Sequence, residues 1–389
     1  MASVSVISLT RFHFFTLGLG LSEAFDTTVF SAWSNAMIRR HFPEIAPIHH
    51  AIPLPGYLKY LNQKTVNRVR LEAQATSMFS SAAARRQNNP DIVLAASTNG
   101  YEAFKATPNA FHITDHASLD PRYEQRVLEE EGRRFGFAAA GNEKHSWRYP
   151  LMDRDLEACD RLNLCSNFAA ETFQERGFPA DKIFVNNLGV ETSKFYPLPA
   201  EERAKRRSEK MRIIYVGASI PRKGLHRLIR ALVDSGPLRF TLTCVGAGPT
   251  DPVLQKIFDE GRAAGLTVTS VPPVLESTLV NHYHEADVFC LPSIADGWGL
   301  VTNQAMACGL PCLVSKYAGS AGIVTPETGQ VFDPRDHDAF VAMLQGLVLD
   351  ELDAKASASA GGPKVQDWGA FTQRGRDDIA GQLGQAHAA

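Results

Sequence analysis

A chain of 389 residues, 44% of them hydrophobic, is too long for one ordinary core and fits two α/β domains of comparable size. A formal net charge of −2 without a concentrated basic stripe argues against nucleic acid as the main partner, and no stretch is apolar enough to span a bilayer. The six cysteines, Cys159, Cys165, Cys244, Cys290, Cys308 and Cys312, show no metal-ligand spacing and are expected as reduced core thiols of a cytosolic protein.

The opening MASVSVISLTRFHFFTLGLGL has no early basic region and is interrupted by Arg11 and His13, so it is expected as mature fold and not as a leader. Residues 4–9 read as the first strand and 14–25 as its helix. Further strands are expected at 92–96, ending on Ser97-Thr98-Asn99-Gly100, and at 110–114, ending on Asp115-His116. With Arg11-Phe12-His13, these make three strand ends that face a cleft. His13 and His116 are candidates there, each weighed evenly against a satisfied structural histidine. His49, His50, His282 and His284 are expected at the surface.

A mixed-charge run at 201–210, after Pro197 and Pro199, reads as a solvated interdomain linker. Residues 212–217 (RIIYVG) form a strand, 218–221 a loop and 223–232 a helix with Leu225, Leu228, Ile229 and Leu232 on one face. Arg222 and Lys223 stand where that helix begins. Cations there oppose the helix dipole, which calls for a compensating anion, and the alternative is a solvated surface pair.

Residues 286–315 (ADVFCLPSIADGWGLVTNQAMACGLPCLVS) carry the strongest signal. An apolar run at 288–291 without alternation marks a strand covered on both faces, and Asp296-Gly297-Trp298-Gly299 must be a loop. The helix over 300–308 points its free N–H groups back into that loop, where an anion or a sugar oxygen finds donors. Seven residues separate Asp296 from Gln304, so both side chains can reach one ligand. The plain alternative is a buried βαβ corner in which Asp296 complements the dipole and Gln304 is a satisfied polar residue. Residues 355–362 (KASASAGG) read as a flexible connection before a final helix around Trp368.

The segment D-G-W-G-L-V-T-N-Q-A-M-A-C-G-L-P resembles the E-G-F-G-L-V-x-x-E-A-M-A-x-G-x-P pattern of retaining glycosyltransferases of the GT-B fold, family 4 (glycosyl transferases group 1). The family's V-G-x-x-x-x-R-K-G-x-x-x-L-I-x-A motif is matched at 216–231, its hinge at 187–197 (NLGVETSKFYP), its second C-domain strand at 240–248 and its terminal G-x-x-x-x-P-x-D at 328–336. The resemblance implies two Rossmann-like, doubly wound parallel-sheet α/β domains facing each other across a cleft. These would be an N-terminal acceptor domain at 1–200, a donor domain at 201–366 and a last helix at 367–389 crossing back onto the first.

In that family the first Glu of the pair holds donor-sugar hydroxyls, the second the nucleotide ribose, and the Arg and Lys the donor diphosphate. The resemblance thus implies catalytic roles for Lys223, Arg222 and Asp296, with His116 from the first domain. Donor contacts are implied at Gly217, Val274, Gly297 and Trp298, and at Gly299, Leu300, Val301 and Gln304. His13, Asn99 and Asp120 are the acceptor-side candidates. A subset of the family has a His two positions before an Arg-aromatic pair; here Asp120 precedes Arg122-Tyr123, which leaves the N-domain group open between His116 and Asp120. Asp296 is one methylene shorter than the family Glu and Gln304 lacks its charge, although a neutral amide still binds a diol.

The implied reaction is metal-free transfer, with retention, from a UDP- or GDP-sugar to a glycan, lipid or small-molecule hydroxyl, without a bound cofactor. Domain closure about residues 197–210 would exclude water. The protein is expected in the cytoplasm, with Arg39-Arg40 and Arg85-Arg86 as candidate contacts to the inner membrane face. Two other readings stand beside it. Asp296 and Gln304 also suit a sugar-nucleotide-binding protein that has lost transfer. A nicotinamide-dependent enzyme needs G-x-G-x-x-G after the first strand. Gly18-Leu19-Gly20 lacks the third glycine, and Gly246-Ala247-Gly248 runs into Pro249.

Overall fold

A computed structural model describes residues 1–10, 13–56, 68–137, 147–206, 208–361 and 365–386; Arg11, Phe12, Arg207 and Gly362 lie outside the described residues. The first sheet contains β1 (Ser3–Ser8), β2 (Asp26–Ser31), β3 (His49–Ala51), β4 (Ile92–Ala96), β5 (Phe111–His116), β6 (Arg161–Leu164) and β7 (Ile183–Val185), in the order β3-β2-β1-β4-β5-β6-β7. The second contains β8 (Met211–Val216), β9 (Phe240–Val245), β10 (Thr267–Val271), β11 (Val288–Leu291), β12 (Cys312–Ser315) and β13 (Gly329–Phe332), in the order β10-β9-β8-β11-β12-β13.

The pairings of β1 with β2 and β4, and of β8 with β9 and β11, are parallel. Strands of this kind are covered by helices on both faces, and β11 and β12 are accordingly buried at every position. Both sheets change winding direction beside their first strand, at β1/β4 and at β8/β11. Chain leaving the carboxyl ends of neighbouring strands diverges there and opens a crevice. Residues after β8 and after β11 therefore meet at one place.

The two α/β domains touch through specific segments. Ile294 and Ala295, after β11, pack with Leu119, Leu128, Leu162 and Phe173 of the first half. Trp298 packs with Leu188 and Phe371. The helix Trp368–Ala386 lies on the helix Phe14–Ser22, with Asn186 donating to the Phe371 carbonyl at 3.0 Å and Arg161 paired with Asp378. All six cysteines are free and buried, and burial pushes the thiols of Cys159 to about 11 and of Cys244 and Cys308 to about 12.

Several local expectations are corrected. Residues 355–361, read as a flexible connection, continue the helix Leu349–Gly361; alternating Ala and Ser are compositionally simple, but Ala is the best helix former. The run at 201–210 contains the exposed helix Ala200–Lys205. His49 is buried, its Nε2 2.7 Å from the Ser31 hydroxyl, because β3 adds to the sheet edge beneath the helix Asn35–His41. His284 is also buried and donates from Nε2 to the Tyr196 carbonyl at 2.7 Å. Arg222 and Lys223 do not open the helix. They occupy a one-turn 3-10 segment, Pro221–Lys223, and the helix runs Leu225–Asp234 after Gly224 at φ +70°. A proline that presets φ and a glycine in the left-handed region separate the two elements.

Candidate active site

Gly224 explains where the basic turn sits. A Cβ on this residue would lie 1.8 Å from the Pro292 carbonyl oxygen, so the backbone after β8 rests directly on the backbone after β11. That contact places Lys223 Nζ 2.5 Å from Asp296 Oδ2, and Arg222 Nη1 3.6 Å from Asp296 Oδ1. Arg222 also donates to the Ala295 carbonyl at 2.8 Å, and the Ser293 hydroxyl donates to Asp296 at 3.3 Å.

Asp296 is 7% exposed. Burial, the largest single influence, pushes its pKa up, but Lys223 and Arg222 outweigh it and hold the carboxyl below the ordinary aspartate value. Two cations and one ionised carboxylate thus occupy the crevice at the switch point. A second carboxylate, Glu124, approaches Arg222 Nε at 3.7 Å.

The bend after Asp296 is clamped by the first half of the chain. Ser166 Oγ donates to the Gly297 carbonyl at 2.7 Å and Cys165 Sγ at 3.2 Å. A Cβ on Gly297 would stand 2.5 Å from Ser118 Cα, so no larger residue fits without parting the halves. Trp298 is 3% exposed, and its indole N–H donates to Asn303 Oδ1 at 2.9 Å. Asn303 in turn donates to the Leu188 carbonyl at 3.0 Å. The indole is therefore an anchor between halves, and what Trp298 presents toward the bend is backbone.

Gly299, at φ +92°, precedes the helix Leu300–Ala307, whose first turn has no side-chain cap. The Thr302 N–H turns back to the Gly299 carbonyl at 2.9 Å, and the N–H groups before it carry no side-chain cap. Gln304, one turn inside, is buried, and its Oε1 accepts from the Tyr283 hydroxyl at 3.2 Å. The same hydroxyl donates to the Val301 carbonyl at 3.2 Å. Gly217 follows β8, its N–H donating to the Val245 carbonyl at 2.9 Å. Val274 is half-buried after β10.

The first-half candidates divide. His13 is buried, its Nε2 2.9 Å from Asp115 Oδ1 and its ring stacked on Phe14 with centroids 4.3 Å apart. Asn99 accepts from the Leu9 N–H at 3.2 Å and ties the ends of β1 and β4 together. His116 donates from Nε2 to the Leu119 carbonyl at 3.1 Å, and burial lowers its pKa, so it is neutral in the turn that seals against Gly297. Asp120 caps the helix Pro121–Phe135, accepting from the N–H groups of Arg122 and Tyr123 at 2.9 and 3.2 Å. It also takes Arg176 at 3.2 Å, which leaves its carboxylate occupied with structure.

Sequence reasoning passed over Asp115, Cys165, Ser166 and Glu124. Asp115 stood in plain view at a strand end beside His116. Ser166, which accepts from the Ala169 N–H as the cap of the helix Asn167–Glu175, reads as an N-cap and gives no sign of a second bond across the cleft.

Two parallel-sheet α/β domains, with a basic turn and an acidic bend meeting at the switch point of the second, form a GT-B architecture. Residues 210–350 match the family described as Glycosyl transferases group 1. The chain is 33% identical over 221 residues to the GDP-mannose-dependent alpha-(1-6)-phosphatidylinositol monomannoside mannosyltransferase of Mycolicibacterium smegmatis, covering 52% of this chain and 56% of that protein. The chain thus spans about half the length of the curated relatives it matches. Among solved structures, sucrose-phosphate synthase from Thermosynechococcus elongatus superposes with a TM-score of 0.69 at 18% identity over 99% of this chain and all of that one. Anabaena HepE in complex with UDP-glucose gives 0.66 at 13% identity over 98% of this chain and all of that one. At these identities the structural likeness speaks for the fold.

Proposed function

We propose that this protein is a retaining, metal-independent glycosyltransferase that moves a hexose-type sugar from a nucleotide diphosphate sugar to an acceptor hydroxyl in polysaccharide or glycoconjugate biosynthesis. Residues 201–366 would carry the donor and residues 1–200 the acceptor. The observation that carries the reading is the meeting of Lys223, Arg222 and Asp296 at the β8/β11 crevice.

As the sugar leaves, its anomeric centre becomes oxocarbenium-like and negative charge builds on the diphosphate. Lys223 and Arg222 offer a point charge and a planar fork to those oxygens, and the uncapped amides at Gly299 and Leu300 offer further donors. In the resting protein Asp296 is the counter-ion that holds Lys223 in place. When a donor arrives, its diphosphate takes over the lysine and frees the carboxylate to accept from sugar hydroxyls. The departing phosphate accepts the proton of the incoming hydroxyl on the same face. Two carboxylates at hydrolase spacing are then not required.

The relative named above is GDP-mannose-dependent and the HepE structure holds UDP-glucose, so both nucleotides belong in the test. A panel of UDP- and GDP-sugars is expected to yield one donor that raises the melting temperature by mass action and is consumed when an acceptor is supplied. No stabilisation by any member, or by UDP or GDP, sinks the proposal. Firm binding with neither transfer nor hydrolysis would instead support the binding-protein reading, for which the neutral Gln304 is the motive. Under the transferase reading Gln304 meets the ribose. Gln304→Glu should then tighten nucleotide binding about fivefold, since hydrogen bonds to charged acceptors exceed neutral ones by about 1 kcal/mol. An unchanged dissociation constant in calorimetry would remove Gln304 from the ribose site.

The acceptor class is proposed as a glycan, lipid or small molecule. Among the described residues no helix is long and apolar enough to cross a membrane. Arg39, Arg40, Arg85 and Arg86 are exposed and stay as candidate contacts for an anionic bilayer surface.

A further inference from the structure

One helix of the first half, Pro121–Phe135, is held by the second half in a way that surface packing does not require. Val127 and Leu128 pack with Leu162, Leu164 and Phe173 of their own half. Glu131, in the same helix, is 4% exposed and points the other way. Its carboxylate accepts from His226 Nε2 at 2.5 Å and from Arg227 Nε and Nη2 at 2.6 and 2.7 Å. Arg227 donates its remaining Nη1 to the Pro334 carbonyl at 3.1 Å. The His226 ring is gripped edge-on by Phe135 and Phe137, with centroids 4.7 and 4.9 Å away, and Phe137 belongs to the core of the second sheet.

This cluster bears on the basic turn by position. His226 and Arg227 are in the first turn of the helix Leu225–Asp234, which follows Arg222, Lys223 and Gly224 directly. Seven residues before Glu131, and so on the same face of its helix, Glu124 stands 3.7 Å from Arg222. One helix of the acceptor half therefore meets the donor half at two heights, on the helix start and on the turn itself.

A buried ion pair adds little net stability, because desolvation offsets attraction, but it specifies one arrangement strongly: shifting either partner leaves an uncompensated charge in a dry site. The Glu131 carboxyl shows the balance. Burial pushes it up, yet the bonds from His226 and Arg227 carry it down to about 2. His226 is itself pushed down by burial and stays neutral, so Arg227 supplies the positive charge.

We propose that Glu131 is a positioning residue of the first half that fixes the Arg222–Lys223 turn for its anionic ligand by locking the start of the helix Leu225–Asp234. The proposal rests on the transferase reading for the ligand, and on geometry alone for the turn. Arginine-paired Glu131 sets the height of Arg222 and Lys223 over Asp296, and a nucleoside diphosphate binds a turn already in place.

The test uses the whole chain and Glu131→Gln, which keeps the side-chain volume and removes the charge, with Arg126→Ala, a surface pair with Glu175 on the same helix, as the control. Hydrogen exchange at residues 221–234 without nucleotide, and calorimetry with UDP and with GDP, are measured on all three proteins. The expected result is exchange at 221–234 faster by about tenfold or more in Glu131→Gln. The dissociation constant of whichever nucleotide the parent binds should rise at least as much, and Arg126→Ala should match the parent. A lowered melting temperature with unchanged exchange at 221–234 and unchanged affinity would mark Glu131 as structural only and overturn the proposal. If the parent binds neither nucleotide, the transferase reading falls, and the exchange measurement still decides whether Glu131 holds the turn. Should Glu131→Gln not fold, Glu131→Asp, which withdraws the same charge by one methylene, is read by the same two measurements.

Discussion

Lys223→Ala is expected to reduce turnover by roughly 10²–10³-fold, the range seen when one pre-placed donor to developing negative charge is removed. The protein should remain folded. Asp296 loses the cation at 2.5 Å but keeps Arg222 at 3.6 Å and the Ser293 hydroxyl at 3.3 Å. Weakening a buried charged group's partners costs about 1–3 kcal/mol, against about 5–15 kcal/mol of total stability in a typical domain. Steady-state rates with the identified donor, beside a thermal melt, check both halves of this expectation. Full turnover in a folded Lys223→Ala protein would remove the lysine from the chemistry. Lys223→Arg should restore the ion pair but not the rate, because a planar fork cannot occupy the place of a compact ammonium.

Gly224→Ala should act more widely. A side chain at φ +70° costs about 1–2 kcal/mol, and here the added carbon would also lie 1.8 Å from the Pro292 oxygen. Relief to ordinary contact at 3.4 Å requires 3.4 − 1.8 = 1.6 Å of movement between two backbones. Overpacking of this kind costs a further 1–3 kcal/mol or so, giving roughly 2–5 kcal/mol in all. The displaced element is the turn bearing Arg222 and Lys223. Misplacement by about an ångström lowers catalysis on the order of 10²-fold, so nucleotide affinity and rate should fall together with the melting temperature. A Gly224→Ala protein that melts and binds like its parent would show that the turn does not need its seat on Pro292.

The two substitutions differ in how readable they were. Lys223 carried a functional signal in its motif and its charge. Gly224 carried no such signal, and the expected helix over 223–232 ran straight through it. Its left-handed conformation and its closeness to Pro292 depend on residues sixty-eight positions away in the chain, as 292 − 224 = 68. Asp120 has a tie of the same long-range kind. Its place before Arg122-Tyr123 leaves the N-domain group open between His116 and Asp120, and in the structure its oxygens cap the helix Pro121–Phe135 and bind Arg176. The cap is legible in the local sequence, whereas the contact with Arg176, far along the chain, is not.

The histidines teach the same point about burial. His284 lies on a polar segment of the chain and His49 beside a second histidine, and both are expected at the surface, yet both rings are buried and bonded. Ser80, Thr76 and other polar residues share this fate, since a large domain buries polar groups wherever partners exist.

By itself, the order of residues determined the class of fold, the parallel sheets and the two segments that meet at the site. Apolar runs without alternation mark doubly covered strands, and proline, glycine and charge punctuate the turns between them; these are local effects of backbone sterics and solvation. Only the tertiary structure decided that Asp296 and Lys223 are counter-ions, that Trp298 anchors the halves, and that Glu131 reaches across to Arg227. Each of these joins residues far apart in the chain. Their energies come from burial and desolvation, which exist only after both sheets have formed.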